Sequence, residues 1–192
     1  MNRILSFLFL IYCINSVAFG QTQPEVNVIY GDHHIFTINT PDGWTNDKEM
    51  AQSIGLVSFF YSKADKDSNQ KSHMYAMGYD KDENNKDLTS FINGDIKNFK
   101  KKYPDLTYEE VKIGTTGGII DGKMLSFDNL TDRYKEEVIY METNESILVF
   151  IFSTFTEKDY NDYQTIFDSF IGSFNYRGNN PQPYLDWVKS KK

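Results

Sequence analysis

The sequence is short of the residues that most chemistry needs. It has one cysteine, Cys13, and three histidines in 192 residues. Cys13 lies inside an apolar N-terminal stretch, and Ile11 and Tyr12 before it are not the small residues of a lipid-attachment signal. With that stretch removed, the chain has no thiol, which excludes disulfides, thiolate metal sites and a cysteine nucleophile. An excess of basic charge is also missing: 20 Lys+Arg stand against 27 Asp+Glu. Nucleic-acid binders usually carry a basic face, so no nucleic-acid partner is expected. No apolar run reaches the ~20 residues needed to cross a bilayer core, so the mature chain is expected to hold no transmembrane segment.

What is present begins with a leader. Asn2 and Arg3 precede the apolar run Ile4 to Tyr12, and Ala18-Phe19-Gly20 places small residues at −3 and −1 of a cut before Gln21. This is the pattern of a secretory signal peptide. The expected organisation is a signal peptide over 1–20, one α/β domain over 21–176 and a tail over 177–192. The chain is then exported, to the periplasm or the medium. With 15 Phe and 13 Tyr, a disulfide-free chain of this size has material for a core that holds by packing alone.

Periodicity gives the elements. Val26–Tyr30 and His34–Asn39 read as a hairpin about Gly31-Asp32, and Pro41-Asp42-Gly43 turns the chain ahead of Trp44. Asn46 to Gln52 is a short helix candidate, Asn46 and Glu49 having capping-box spacing. Leu56–Tyr61 and His73–Tyr79 read as strands. A helix starts at Asp87 with Leu88, Phe91, Ile92, Ile96 and Phe99 on one stripe, and Lys97, Lys100, Lys101 and Lys102 complement its C-terminal dipole. Four strands follow: Tyr108–Ile113, Lys123–Asp128, Tyr134–Glu142 and Ile147–Phe152. Asp121-Gly122 reads as a hairpin turn between the first two. The last strand is apolar throughout and is expected at the centre, with Phe150 and Phe152 on one face and Val149 and Ile151 on the other. A closing helix, Glu157–Gly172, is capped by Thr156. Short turns force antiparallel pairing, and doubly apolar strands need helices on both sides. The expected fold class is therefore α/β (α+β): an α/β/α sandwich around a central antiparallel sheet.

Three landmarks carry a resemblance: Phe36-Thr37-Ile38 running into Pro41-Asp42-Gly43-Trp44, the Leu88–Phe99 helix, and the closing Phe167-Asp168-Ser169-Phe170-Ile171-Gly172-Ser173-Phe174. Over about residues 26–176 the chain resembles the Mog1/PsbP-like superfamily. The resemblance implies a largely non-catalytic set that includes extrinsic photosystem II subunits, a Ran-binding import factor, chaperones of secreted effectors and exported bacterial proteins. The leader places this chain with the exported bacterial branch. No binding motif transfers from it residue by residue, and fold alone does not carry function.

The chemistry-bearing clusters are few. Asp32, His33 and His34 form one, but adjacent strand residues point to opposite faces, which keeps the imidazoles from sharing an ion. Asp65 and Asp67 open a calcium-like loop whose sixth and twelfth positions are Gln70 and Ala76 instead of Gly and Glu; Asp80-Lys81-Asp82 fails in the same way. Gly114-Thr115-Thr116-Gly117-Gly118 lacks the Lys-Ser/Thr ending of a phosphate loop, and no Gly-x-Ser-x-Gly elbow occurs. Glu136 and Glu137 fall on opposite faces of their strand. No catalytic residue, metal site or cofactor is expected. Asp32, His33, His34, Asp65 and Asp67 remain as binding candidates. The expected role is binding or stabilising another envelope or secreted protein. The alternatives are a small-molecule or lipid site lined by Tyr75, Met77, Tyr140 and Met141, and a hydrolase without a recognised motif.

Overall fold

The computed structural model describes residues 24–68, 70–83, 85–114 and 117–191. The segment read as a leader, Cys13 included, lies outside them, as do Thr115 and Thr116 of the glycine-rich stretch.

The chain begins with β1 (Val26–Tyr30) and β2 (Ile35–Asn39), antiparallel, followed by β3 (Trp44–Asn46), α1 (Lys48–Ser53), β4 (Phe59–Ser62) and β5 (His73–Asp80). Then come α2 (Leu88–Lys102), β6 (Thr107–Lys112), β7 (Asp121–Asp128), β8 (Lys135–Glu142) and β9 (Ser146–Thr154). The chain closes with α3 (Glu157–Gly172), β10 (Asn175–Gly178) and α4 (Gln182–Lys189). A seven-stranded sheet runs β3-β4-β5-β9-β8-β7-β6, and a three-stranded sheet runs β1-β2-β10. Every neighbouring pair is antiparallel.

β9 lies between β5 and β8, and all nine of its residues are buried. Its side chains divide as alternation requires. Phe150 and Phe152 join Phe167 and Phe170 of α3, and Val149 and Ile151 join Leu88 and Ile92 of α2. The long helices thus cover opposite faces. Each starts on a side-chain cap: the Asp87 carboxylate accepts from Ser90 N at 2.7 Å, and Thr156 Oγ1 accepts from Asp159 N at 3.0 Å. Such caps contribute ~1 kcal/mol each. Trp44 is buried, with its ring edge-on to Tyr163 of α3.

Several local expectations are corrected. The α1 cap is Asp47, which accepts from Met50 N at 2.9 Å, and not Asn46. Asn46 instead donates to Asn27 Oδ1 at 2.7 Å, across to β1. Asp121-Gly122 is not a turn. Both residues lie in β7 opposite Glu142 and Met141, because pairing with a long buried strand outweighs a two-residue turn preference. The β4 strand starts at Phe59, not Leu56. The small sheet is the main addition to the expected sandwich. Ile29, Phe36 and Ile38 pack into the α3-side core, so that face is shared by a helix and a sheet. β10 reaches back to β2 with Asn175 opposite Thr37 and a bulge before Gly178. α4 lies near β1, with the Tyr184 ring 6.2 Å from that of Tyr30.

Candidate functional site

The sequence-derived cluster converges on Asp80, which in the sequence stood only as the start of an incomplete calcium-like loop. The Asp80 carboxylate, at the end of β5, receives Asp32 N at 2.9 Å, His33 N at 3.1 Å and His34 Nδ1 at 2.9 Å. Ser146 Oγ lies 3.1 Å from the same carboxylate and 2.8 Å from His33 O. Both are acceptors, so the single hydroxyl proton is committed to them. Burial pushes the Asp80 carboxyl up, but the hydrogen bonds from His34, the Asp32 and His33 amides and Ser146 hold it below its ordinary value. His34 is buried, while His33 is exposed and faces Glu145 at 3.3 Å. Asp32, His33 and His34 are therefore brought together, but as the fastening of the β1–β2 turn onto the large sheet.

The arrangement lacks the order that nucleophilic catalysis requires. Serine, base and orienting acid must stand in series, with the base taking the serine proton. Here Ser146 and His34 both address Asp80. The His34 ring is also walled in by glycines. A methyl group on Gly78 would stand 2.2 Å from His34 Nε2, and one on Gly31 would stand 2.3 Å from Cε1. Gly78→Ala is expected to cost ~1–3 kcal/mol, the usual cost of overpacking, read as a lower denaturant midpoint.

Asp65 and Asp67 are placed far from this cluster. Asp65 ends a short 3-10 turn, Lys63–Asp65, started by Ser62. Burial and the Asp159 charge push its carboxyl up, and Asp67 is exposed. Among the described residues no group of three or more His, Cys, Asp or Glu is set to hold a metal ion. Thermal midpoints with and without chelator are expected to coincide, since a bound ion would raise the midpoint by mass action.

A second polar group was not foreseen. It lies on the α2 face, where Glu136, Ser153 and His73 stand in one row across β8, β9 and β5. Arg133 Nη1 pairs with Glu136 and lies 3.2 Å from Ser153 Oγ, which donates to Glu136 Oε2 at 2.6 Å. Arg133 Nε also reaches Asp132 Oδ1 at 3.0 Å, and Tyr103 OH donates to Asp132 at 2.8 Å. The expected opposite facing of the two glutamates holds: Glu137 turns to the α3 side and accepts from Tyr160 OH at 2.6 Å. Both glutamates are buried. The only sequence signal for that was their place inside a strand with an apolar continuation on both faces.

His73 gives its Nδ1 proton to Lys71 O at 2.9 Å, and its ring stacks on Phe59 and Tyr75. Burial lowers its pKa to about 4, with Arg133 adding to the fall and the Lys71 bond opposing it. The unfolded chain, with its histidine near 6.5, binds this proton first as pH falls. Stability is then intact above about 6.5 and declines as pH falls from 6.5 towards 4. Denaturant midpoints between those values should flatten in His73→Phe relative to the unsubstituted chain.

The ligand site read from Tyr75, Met77, Tyr140 and Met141 is split by the sheet. Tyr75, Met77 and Tyr140 belong to the α2 side, and Met141 to the α3 side. Tyr140 is fully buried, with its OH donating to Asp95 of α2 at 2.8 Å. The space is filled by packing. A cavity of about 410 Å3 lies elsewhere, between the small sheet and α4, lined by Val28, Ile35, Thr37, Arg177, Asn180, Pro183 and Tyr184.

No protein-family model matches the sequence, and no curated protein sequence matches it. The structure is similar to the solution structure of cyanobacterial PsbP (CyanoP) from Synechocystis sp. PCC 6803, with a TM-score of 0.54 and 14% identity. The match covers 82% of this chain and 95% of that one. The fold is PsbP-like. At this identity the likeness speaks for the fold alone, and the PsbP-like frame here is the seven-stranded sheet between its helices. No described helix is long and apolar enough to cross a membrane.

Proposed function

We propose that the chain is an exported, non-catalytic module that binds or stabilises another protein at the cell envelope, its domain spanning 21–176 and following a leader cut before Gln21. The observation that carries this reading is the use made of the polar side chains. Each of the two clusters that resemble chemistry has its protons and lone pairs spent on fastening one element to another. Apolar groups, by contrast, remain outside: Tyr30 and Trp187 are exposed on either side of Tyr184, with ring centroids 6.2 and 6.0 Å from its own. Exposed apolar groups gathered in one region mark contact surfaces more often than chance does. The PsbP-like fold agrees with this reading, as does the acidic balance, which speaks against a nucleic-acid partner.

A small-molecule site is the second reading, favoured by the cavity under α4, whose size suits a modest ligand. Native mass spectrometry of the chain purified from producing cells separates the two. The binding-module reading expects the bare chain or a protein complex. A constant added mass of a few hundred daltons, lost on denaturation, contradicts it and favours the ligand site. A hydrolase reading requires turnover in a broad substrate screen, which the binding module does not give.

A further inference from the structure

β6 ends the large sheet, with β7 on one side and, among the described residues, no strand on the other. All six of its residues are exposed, Val111 at 50% and Tyr108 at 38%. Ile113 N donates to Gly122 O at 3.1 Å, which continues the ladder with β7. Bonding in an antiparallel ladder alternates, so Glu109 and Val111 turn their backbone groups towards β7. Tyr108, Glu110 and Lys112 turn theirs outward. An open edge of this kind is a template for another strand.

The side chains state which strand it accepts. A second copy, related by a two-fold axis normal to the sheet, must place outward residues opposite outward residues. With the axis at Glu110, two glutamates oppose each other, and with the axis at Glu109 two others do; like charges directly opposite are destabilising. With the axis at Val111, Glu110 faces Lys112 and Lys112 faces Glu110, while the two valines meet on the dyad. Glu110-Val111-Lys112 is self-complementary in that register. The present partners leave room for it: Lys112 Nζ stands 3.8 Å from Asp121, and Lys123 Nζ stands 2.7 Å from one oxygen of the exposed Glu110 carboxylate.

We propose that β6 is a dimerisation edge, at which a second copy of this chain pairs antiparallel about Val111 and the two large sheets become one. Opposite charges at neighbouring outward positions make this edge recognise itself, where most sheet edges are charged to repel.

Sedimentation equilibrium of the chain purified from producing cells tests this. The unsubstituted chain is expected to dimerise reversibly. Glu110→Lys and Lys112→Glu should each weaken self-association at least about tenfold, while an equimolar mixture of the two restores a dimer, because every cross-strand pair is again opposite in charge. Val111→Lys, which places like charges on the dyad at a half-exposed position, should also give monomers. Circular dichroism and melts check that each variant is folded, and the double reversal Glu110→Lys/Lys112→Glu should dimerise with itself. A monomeric unsubstituted chain up to millimolar concentration overturns the proposal. So do single variants that associate as before, or a mixture that stays monomeric.

Discussion

Phe152→Ala is expected to lower the unfolding free energy by ~3–5 kcal/mol, the usual range for emptying a buried aromatic. Phe152 is fully buried on the central strand, and its ring stacks on Phe167 of α3 at 5.1 Å and lies 6.2 Å from that of Tyr160. It stands opposite Met74 of β5 on one side and Glu137 of β8 on the other. The hole therefore opens at the meeting of β5, β9, β8 and α3, where no loop can collapse into it. Urea denaturation should show a lower midpoint with an unchanged slope. By contrast, His33→Ala and Asp67→Ala should each change stability by less than ~1 kcal/mol, as changes on exposed side chains do. A neutral Phe152→Ala would mean that the all-apolar strand is not the centre of the core.

Arg133→Met should be comparably costly for a different reason. Its guanidinium pairs with Glu136 and Asp132, and Glu136 is buried with one other donor, Ser153. Removing the cation leaves a buried carboxylate uncompensated, which costs ~3–5 kcal/mol where it has been measured for buried pairs. The second substitution separates pairing from packing. Arg133→Met/Glu136→Leu should recover most of the loss, because replacing both partners by apolar groups is often neutral. If the double variant is no better than Arg133→Met alone, the cost lies in the lost Asp132 contacts and in packing, and Glu136 is not the stranded charge.

How far the sequence speaks differs from element to element. The apolar run at Ile147–Phe152 and the stripes capped by Asp87 and Thr156 are local signals, and the structure has all of them where periodicity puts them. Val138 and Tyr140 face α2 while Ile139 and Met141 face α3, as alternation along a strand requires. Asp121-Gly122 was misread because its turn preference is local, whereas its strand state comes from β8, known only once the sheet is assembled. The pairing of β10 with β2 joins residues 138 apart at Asn175 and Thr37 and leaves no periodic trace. Asp80 was hidden in the same way. In sequence it opens a charged loop with Lys81 and Asp82. Only folding brings the Asp32 and His33 amides, His34 and Ser146 around its carboxylate. The histidine pair was conspicuous because histidine is rare here, and what it attaches to was not.

Under the proposed function, polar clusters fasten the fold and the chain acts by contact with another protein outside the cytoplasm. The most direct test is cross-linked affinity purification of the C-terminally tagged chain from the organism that makes it, with the captured material and the chain's own N-terminus read in one mass-spectrometric run. The expected result is a chain that begins at Gln21, cross-linked in constant proportion to one envelope or secreted protein through exposed residues. A chain that begins at Met1, recovered from the cytoplasm with no cross-linked protein, would contradict the account.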